Sequence, residues 1–162
     1  MARSKVFLRT RDIDWAFTSG GHYIHVSSAG GDLPAVIEDR LFEVWHVLKN
    51  AEIVCESQDV IFNEQYLREK FAKMVDNMSS QERNFRMEWY VHSFRAMAMR
   101  GFYSFDRDVS TTFEESKYHW IAKPGRLIRE FHYELPEITL GFDPEWLEGR
   151  DIVAIINNVT NG

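Results

Sequence analysis

Hydrophobic residues recur every three or four positions in three segments of the chain, which is the spacing that predicts amphipathic helices. The first predicted helix covers residues 33–50, with Asp32 as its N-cap. The second predicted helix follows a cap at Asn63. The third covers residues 80–100 and begins at Ser79 with a Ser-x-x-Glu capping box. The pattern therefore predicts about three helices.

Other segments are short and alternate between apolar and polar residues, as strands with one buried face do. The predicted strands are residues 5–9, 22–28, 51–56, 102–107 and 151–157, together with two arms of a hairpin within 117–134. Strands at both ends of the chain with helices between them are typical of an α+β fold. We therefore predict a single mixed or mainly antiparallel sheet of about six or seven strands on about three helices, in one globular domain over residues 1–162.

The hairpin prediction depends on Pro124 and Gly125, because proline presets φ at the first central turn position and glycine accepts a positive φ at the second. Pairing outward from this turn sorts the side chains of the two arms onto two faces. One face is mainly aromatic and aliphatic between Tyr118 and Tyr133, and we expect it to join the core. The opposite face carries the ionisable residues His119, Glu130, His132 and Glu134.

Two functions stay open for the ionisable face of the hairpin. His119 and Glu130 would lie opposite each other, close enough for the carboxylate to orient the imidazole. His132 and Glu134 add a second imidazole and a second carboxylate, so the four groups would bind a divalent metal or transfer protons. The alternative is a solvated face with opposite charges paired across the strands, because antiparallel sheets commonly leave one face in water.

A second candidate site lies on predicted strand 22–28, where Tyr23, His25 and Ser27 alternate onto one face. Glycines then lead into a predicted helix start, a place where free backbone amides can bind phosphate. Asp32 occupies that start, and its carboxylate would repel an anion, which disfavours phosphate. We keep Tyr23, His25 and Ser27 as candidate ligand-binding residues. His92 lies on the apolar stripe of the third predicted helix, so we expect a core histidine there.

Composition and charge narrow the class of protein. Hydrophobic residues make up 44% and aromatic residues 14% of the 162 residues, enough to bury a substantial core. The formal net charge of −6 makes nucleic acid an improbable partner, since phosphate binding needs clustered Lys and Arg. Cys55 is the only cysteine and falls in an apolar run, so we expect a buried thiol. We expect no membrane span and a cytoplasmic location, because no segment has the roughly 20 apolar residues of a span and none is typical of a signal peptide.

These observations favour a small, acidic, cytoplasmic and non-catalytic interaction module. We expect exposed aromatic residues and a polar loop over residues 108–116 to hold a protein partner or a small ligand. The alternative is a metal-assisted or general acid–base enzyme that uses the 119–134 hairpin face. The sequence identifies no cofactor and no oligomeric state.

Overall fold

The structure is a computed structural model that describes residues 4–73, 78–129 and 132–161. Its strands are β1 Asp14–Ser19, β2 His22–Ser27, β3 Val60–Phe62, β4 Phe102–Arg107 and β5 Tyr118–Pro124. They form one sheet in the order β1-β2-β4-β5-β3, in which β2 and β4 are parallel and the other neighbours antiparallel. The predicted α+β class with a single mixed sheet is therefore confirmed. The predicted number of six or seven strands is wrong, since the described residues form five.

The helices of the described residues number six, twice the predicted three: α1 Lys5–Arg9, α2 Ala35–Glu38, α3 Leu41–Asn50, α4 Glu64–Ala72, α5 Ser80–Met99 and α6 Ile152–Asn161. Two predicted caps are confirmed. The Asn63 side-chain oxygen accepts a hydrogen bond from the Tyr66 amide at 3.2 Å, and the Ser79 hydroxyl oxygen accepts one from the Glu82 amide at 3.1 Å. Each cap satisfies an amide that the first turn of its helix leaves without a partner.

Three of the strands predicted outside the hairpin are absent. Residues 5–9 form α1, whose first turn is capped by the Ser4 hydroxyl, and residues 51–56 have no regular structure. Residues 152–161 form α6, in which Ile152 and Ile156 lie four positions apart and are both fully buried. Asp151 caps this helix by accepting a hydrogen bond from the Ala154 amide. Alternation over five to seven residues does not separate a short strand from a helix, because an i, i+4 apolar pair satisfies both patterns.

β5 does not form a hairpin with the segment that follows it. Its backbone pairs with β4 on one edge and with β3 on the other, so both of its edges are occupied. Residues 127–129 and 132–136 have no strand structure. At Gly125 an added Cβ would lie 2.4 Å from the Asp59 carbonyl oxygen, so the bend passes tightly beside the turn before β3. The predicted register of residues 117–134 is therefore wrong.

The first predicted helix is also different, because the chain turns at residues 39–40 and separates α2 from α3. Asp32 does not cap α2, which begins after Pro34 without any side-chain cap. The Ala35 amide instead donates to the side-chain oxygen of Asn157, from α6, at 3.1 Å. Tertiary contact between two helices thus replaces the local cap that the sequence favours.

Two adjacent cross-strand rows of the sheet face opposite ways, and one is apolar while the other is polar. Register places Trp15, Val26, Phe105 and Trp120 in one cross-strand row, and the first three of them are fully buried. The adjacent row, which faces the other way, consists of Asp14, Ser27, Asp106 and His119. The apolar row joins the larger core cluster, which also includes Ile152 and Ile156 of α6.

A second, smaller core cluster lies where α4 and α5 meet β3 and β5. Leu67, Phe71, Phe94 and Ile121 are buried in it. Cys55 belongs to the same cluster and is buried, as the sequence predicts. Within the three described stretches, no helix combines the length and the apolar character needed to cross a bilayer.

Candidate functional site

The polar row of the sheet lies under helix α5. Tyr90 of α5 reaches down to the sheet and donates a hydrogen bond to Asp106 Oδ2 at 2.5 Å. Polar groups at this depth cost free energy unless they are paired, so sheets that pack against helices usually present apolar side chains there. The buried polar residues on this side of the sheet, His25, Ser27 and Asp106, therefore need specific partners, which the structure supplies.

His25 is the most enclosed ionisable group of the site, with only 3% of its side chain exposed. Its Nε2 lies 2.8 Å from Asp14 Oδ1, and its Nδ1 lies 2.7 Å from the hydroxyl of the fully buried Ser104. A carboxylate only accepts hydrogen bonds, so Nε2 carries a proton, and in the neutral ring Nδ1 accepts from Ser104. The Asp14 side chain is still 65% exposed. Its partial loss of solvent raises the pKa of the carboxyl, but the hydrogen bond and the electrostatic interaction with His25 outweigh this effect and lower that pKa.

Asp12 holds the neighbouring part of the site in place. One of its oxygens accepts hydrogen bonds from the Ser27 hydroxyl at 2.7 Å and from the Ala29 amide at 2.9 Å. Ala29 has a positive φ of 43°, an uncommon conformation for a residue with a Cβ. The carboxylate of Asp12 thus stabilises the strained turn that follows β2 and positions Ser27 beside it.

Asp106 is the buried carboxyl of the site, with 9% of the residue exposed. Burial raises its pKa, although the Tyr90 hydrogen bond and the nearby charge of Lys70 partly oppose this effect. Burial and the Asp106 charge raise the pKa of Tyr90 strongly, so its phenol stays protonated and donates to the carboxylate. Asp106 and Asp14 therefore differ in the direction of their pKa shifts although both lie on one row of the sheet.

A cleft of about 570 Å³ opens between α5 and these strands, and we call it the α5 cleft. Its volume is within the range of roughly 300–1,000 Å³ that small-ligand sites have. Its lining residues come from three strands or the turns beside them and from one helix: Asp12, Asp14, His25, Ser27, Ala29, Trp89, Tyr90, His92, Ser93, Phe94 and Asp106. Ser104 is not among them, so its hydroxyl supports His25 and is not accessible as a nucleophile.

The candidate ligand-binding residues of β2 do not all reach this cleft. His25 and Ser27 line it, whereas Tyr23 is buried in the larger core, 4.8 Å from the ring of Tyr133 between centroids. The Tyr23 hydroxyl accepts a hydrogen bond from the Tyr133 amide at 3.3 Å. His92, predicted to be a core histidine, is exposed at the cleft instead.

The ionisable residues predicted to share the hairpin face have separate surroundings. His119 Nδ1 makes a close contact with Glu148 Oε1, its Nε2 lies 4.0 Å from Asp108 Oδ2, and its ring stacks on Tyr66 at 4.0 Å. His132 is exposed and meets Tyr23 edge-on at 6.3 Å between ring centroids. Glu134 is exposed, and Glu130 lies outside the described residues.

Sequence reasoning missed the residues that complete the site, namely Asp14, Asp106 and Tyr90. Alternation along predicted strand 102–107 already places Ser104 and Asp106 on one face. The missing information was that β4 lies parallel to β2, which brings Ser104 opposite His25. Nothing local to residues 80–100 marks Tyr90 as the helix residue above Asp106.

Metal binding finds no support in the described part of the chain. No group of three or more His, Cys, Asp or Glu side chains there is arranged to hold a metal ion. Comparison with known proteins yields no relationship: no protein-family model, no curated protein and no solved structure matches this chain.

Proposed function

We propose that this protein is a non-catalytic interaction module that holds a positively charged side chain of a protein partner in the α5 cleft. The observation that supports this proposal is the polar sheet surface beneath α5, where the almost fully buried His25 and Asp106 line a cleft of about 570 Å³. Polar groups at this depth, converging on one concave surface, are typical of binding sites. The lone cysteine suits the reducing cytoplasm in which we place the module.

The charges of the α5 cleft favour a cation. Asp12, Asp14 and Asp106 contribute three carboxyl groups to its wall, and none of the Lys and Arg residues that the structure describes lines it. The lowered pKa of Asp14 keeps that carboxylate charged at neutral pH. An arginine or lysine side chain would therefore gain charge-assisted hydrogen bonds inside the cleft.

Aromatic residues of α5 favour a partner that is larger than a free ion. Trp89 lines the cleft and is 78% exposed, and Phe85, one turn earlier on α5, is 71% exposed. Indole rings attract cations and contribute strongly to protein interfaces when a partner covers them. A partner that inserts a basic side chain would cover Trp89 and Phe85 at the same time.

A neighbouring cavity shares two carboxylates with the α5 cleft but also contains basic residues. Asp12 and Asp14 also line a cavity of about 720 Å³ on their other side, together with Arg11 and Lys49. These two cations would repel a basic side chain. We therefore expect a basic side chain to bind in the α5 cleft, whose wall contains Asp106 and neither Arg11 nor Lys49.

The proposal predicts saturable binding of basic peptides, measured by two-dimensional amide NMR. Ac-Gly-Arg-Gly-NH2 should shift the amides of Ser27 and Asp106, whereas the neutral peptide with citrulline should not. Asp106→Asn should raise the dissociation constant about tenfold, and Trp89→Ala about fivefold, because one removes a charged hydrogen-bond acceptor and the other an aromatic wall.

Asp39→Asn is the matched control, since Asp39 is exposed and does not line the cleft. It should bind the arginine peptide as the wild type does. Equal shifts with the citrulline and arginine peptides would contradict the proposal, as would wild-type affinity in both Asp106→Asn and Trp89→Ala.

A second candidate function is general acid–base catalysis in the same cleft. It is supported by the opposite pKa shifts of Asp106, raised chiefly by burial, and Asp14, lowered by His25. Two carboxyl groups whose environments separate their pKa values are typical of an acid and a base in one active site. In this version Asp106 would be the acid and Asp14 the base, and the residues of the 119–134 segment would have no part.

The pH dependence of stability tests the acid in this second candidate. The folded pKa of Asp106 is raised above the ordinary 3.8, so the folded state binds more protons and stability falls as the pH rises from 3.8 through the folded value. Asp106→Asn removes this loss, so its stability relative to wild type should be greater at pH 7 than at pH 3.5 in urea unfolding. If the stability of the variant relative to wild type is the same at both pH values, the pKa of Asp106 is not raised by folding, and its role as the acid is contradicted.

A further inference from the structure

A second cavity, of about 170 Å³, lies on another part of the molecule and shares no residue with the α5 cleft. We call it the α6 cavity. Its walls come from the turn before α2, the loop before β5, β5 itself and the start of α6. The lining residues are Asp32, Phe113, Glu114, Ser116, Tyr118, Asp151, Val153, Ala154 and Asn157.

Two buried polar atoms in this wall have no hydrogen-bond partner among the described residues. They are the hydroxyl of Tyr118, a residue with 0% exposure, and Oδ1 of Asp32. Buried polar groups are almost always paired, because leaving one unpaired costs the free energy of its lost hydration. Two such atoms in the wall of one cavity indicate a place where a ligand supplies the missing hydrogen bonds.

The charges of the wall select the ligand. Asp32, Glu114 and Asp151 are acidic, and within the described parts of the chain no Lys, Arg or His lines the cavity. Burial raises the pKa of Asp151, although its hydrogen bonds with backbone amides partly oppose this effect. The cation Arg107 lies near Asp151 and Tyr118, and its donors are directed to the Ser116 hydroxyl and to the carbonyls of Ala29 and Thr111.

The loop over residues 108–116 forms one side of the cavity and is held by Arg107. The ring centroid of Phe113, in this loop, lies 4.3 Å from the Arg9 guanidinium and 4.8 Å from the Arg107 guanidinium. Arg107 also bonds Ser116 at 3.0 Å, which fixes the end of the loop beside Tyr118. The cavity therefore has a formed wall on the loop side.

We propose that the α6 cavity binds a small primary ammonium group, with Asp32 accepting a charged hydrogen bond from its nitrogen and the Tyr118 hydroxyl accepting a second. Its volume equals that of about six water molecules at roughly 30 Å³ each, which suits a short alkylammonium or the end of a lysine side chain. A metal ion is not supported, since no set of His, Cys, Asp and Glu in the described residues is arranged to ligate one. This site is independent of the proposed function of the α5 cleft.

Methylammonium chloride is the probe, titrated into the full chain at constant ionic strength and followed by two-dimensional amide NMR. Saturable shifts are expected at Ser116 and Ala154, which line the cavity. Tetramethylammonium, which has no N–H donor, should not produce them. An Ac-Gly-Lys-Gly-NH2 arm separates the two sources of the group: shifts at Ser116 with this peptide indicate a lysine side chain, and shifts with methylammonium alone indicate a free amine.

Two variants decide the assignment. Asp32→Asn should raise the dissociation constant for methylammonium at least about tenfold, and the isosteric Tyr118→Phe about threefold, since they remove a charged and a neutral acceptor. Glu69→Gln, an exposed position on α4 that lines neither cavity, should have the wild-type constant. Absence of saturable shifts overturns the proposal, as does an unchanged constant in Tyr118→Phe, which keeps the shape of the wall even if Asp32→Asn does not fold.

Discussion

Replacing Trp15 by alanine should lower the free energy of unfolding by about 3–5 kcal/mol, the usual cost of removing a fully buried aromatic side chain. Trp15 has 0% exposure and stacks on Phe17 with 5.8 Å between ring centroids. Its Nε1 has no hydrogen-bond partner among the described residues, so the loss would come from packing alone. Urea unfolding followed by far-UV circular dichroism measures the change.

The matched control is Trp89→Ala, which removes the same side chain from a position that is 78% exposed. Its free energy of unfolding should change by less than about 0.5 kcal/mol, as exposed substitutions usually do. The two variants compare the cost of losing a tryptophan side chain from the buried face of the sheet with the cost of losing one from the exposed surface of α5. Similar losses in both variants would contradict the burial that the fold assigns to Trp15.

Replacing His25 by alanine should lower the free energy of unfolding by about 2–4 kcal/mol, because it leaves a cavity and removes the partner of a buried hydroxyl. The fully buried Ser104 would lose its hydrogen bond, and Asp14 would lose the imidazole 2.8 Å away. His46→Ala, at an exposed position on α3, is the matched control and should change stability by less than about 0.5 kcal/mol.

The stability difference between wild type and His25→Ala should also depend on pH. The folded pKa of Asp14 is lowered below the ordinary 3.8, so its contribution is fully present above 3.8 and is lost as the pH falls through the folded value. The two proteins should therefore become more alike as the pH falls below 3.8. A His25→Ala variant as stable as His46→Ala at pH 7 would show that the bonds of His25 to Asp14 and Ser104 contribute nothing.

Local sequence patterns predicted part of the candidate site. Alternation on β2 places His25 and Ser27 on one face, and both line the α5 cleft. The same rule placed Tyr23 with them, but the aromatic rings of Phe102 and Tyr133 enclose that side chain in the core. Which residues of a strand face meet solvent depends on what covers them, and alternation does not contain that information.

The hairpin hypothesis failed for a related reason. Proline and glycine at positions 124 and 125 do produce a bend, but a bend does not choose the strand that pairs with β5. β4 and β3 pair with β5 instead, and they come from 16 and 58 residues earlier in the chain, counted from their first residues. His119 consequently faces Glu148, a residue that no short-range pattern connects to it.

The sequence by itself determined the α+β class, the caps of α4 and α5, the strand positions of β2 and β4, and the burial of Cys55. Each of these follows from interactions within a few residues, such as a cap, an alternation or an apolar run. Only the tertiary structure decided that β2 and β4 are parallel neighbours and that Tyr90 covers Asp106. It also decided that Asp32 does not cap α2 and instead lines the α6 cavity. These outcomes depend on contacts between distant segments, whose free energy no local stretch of sequence contains.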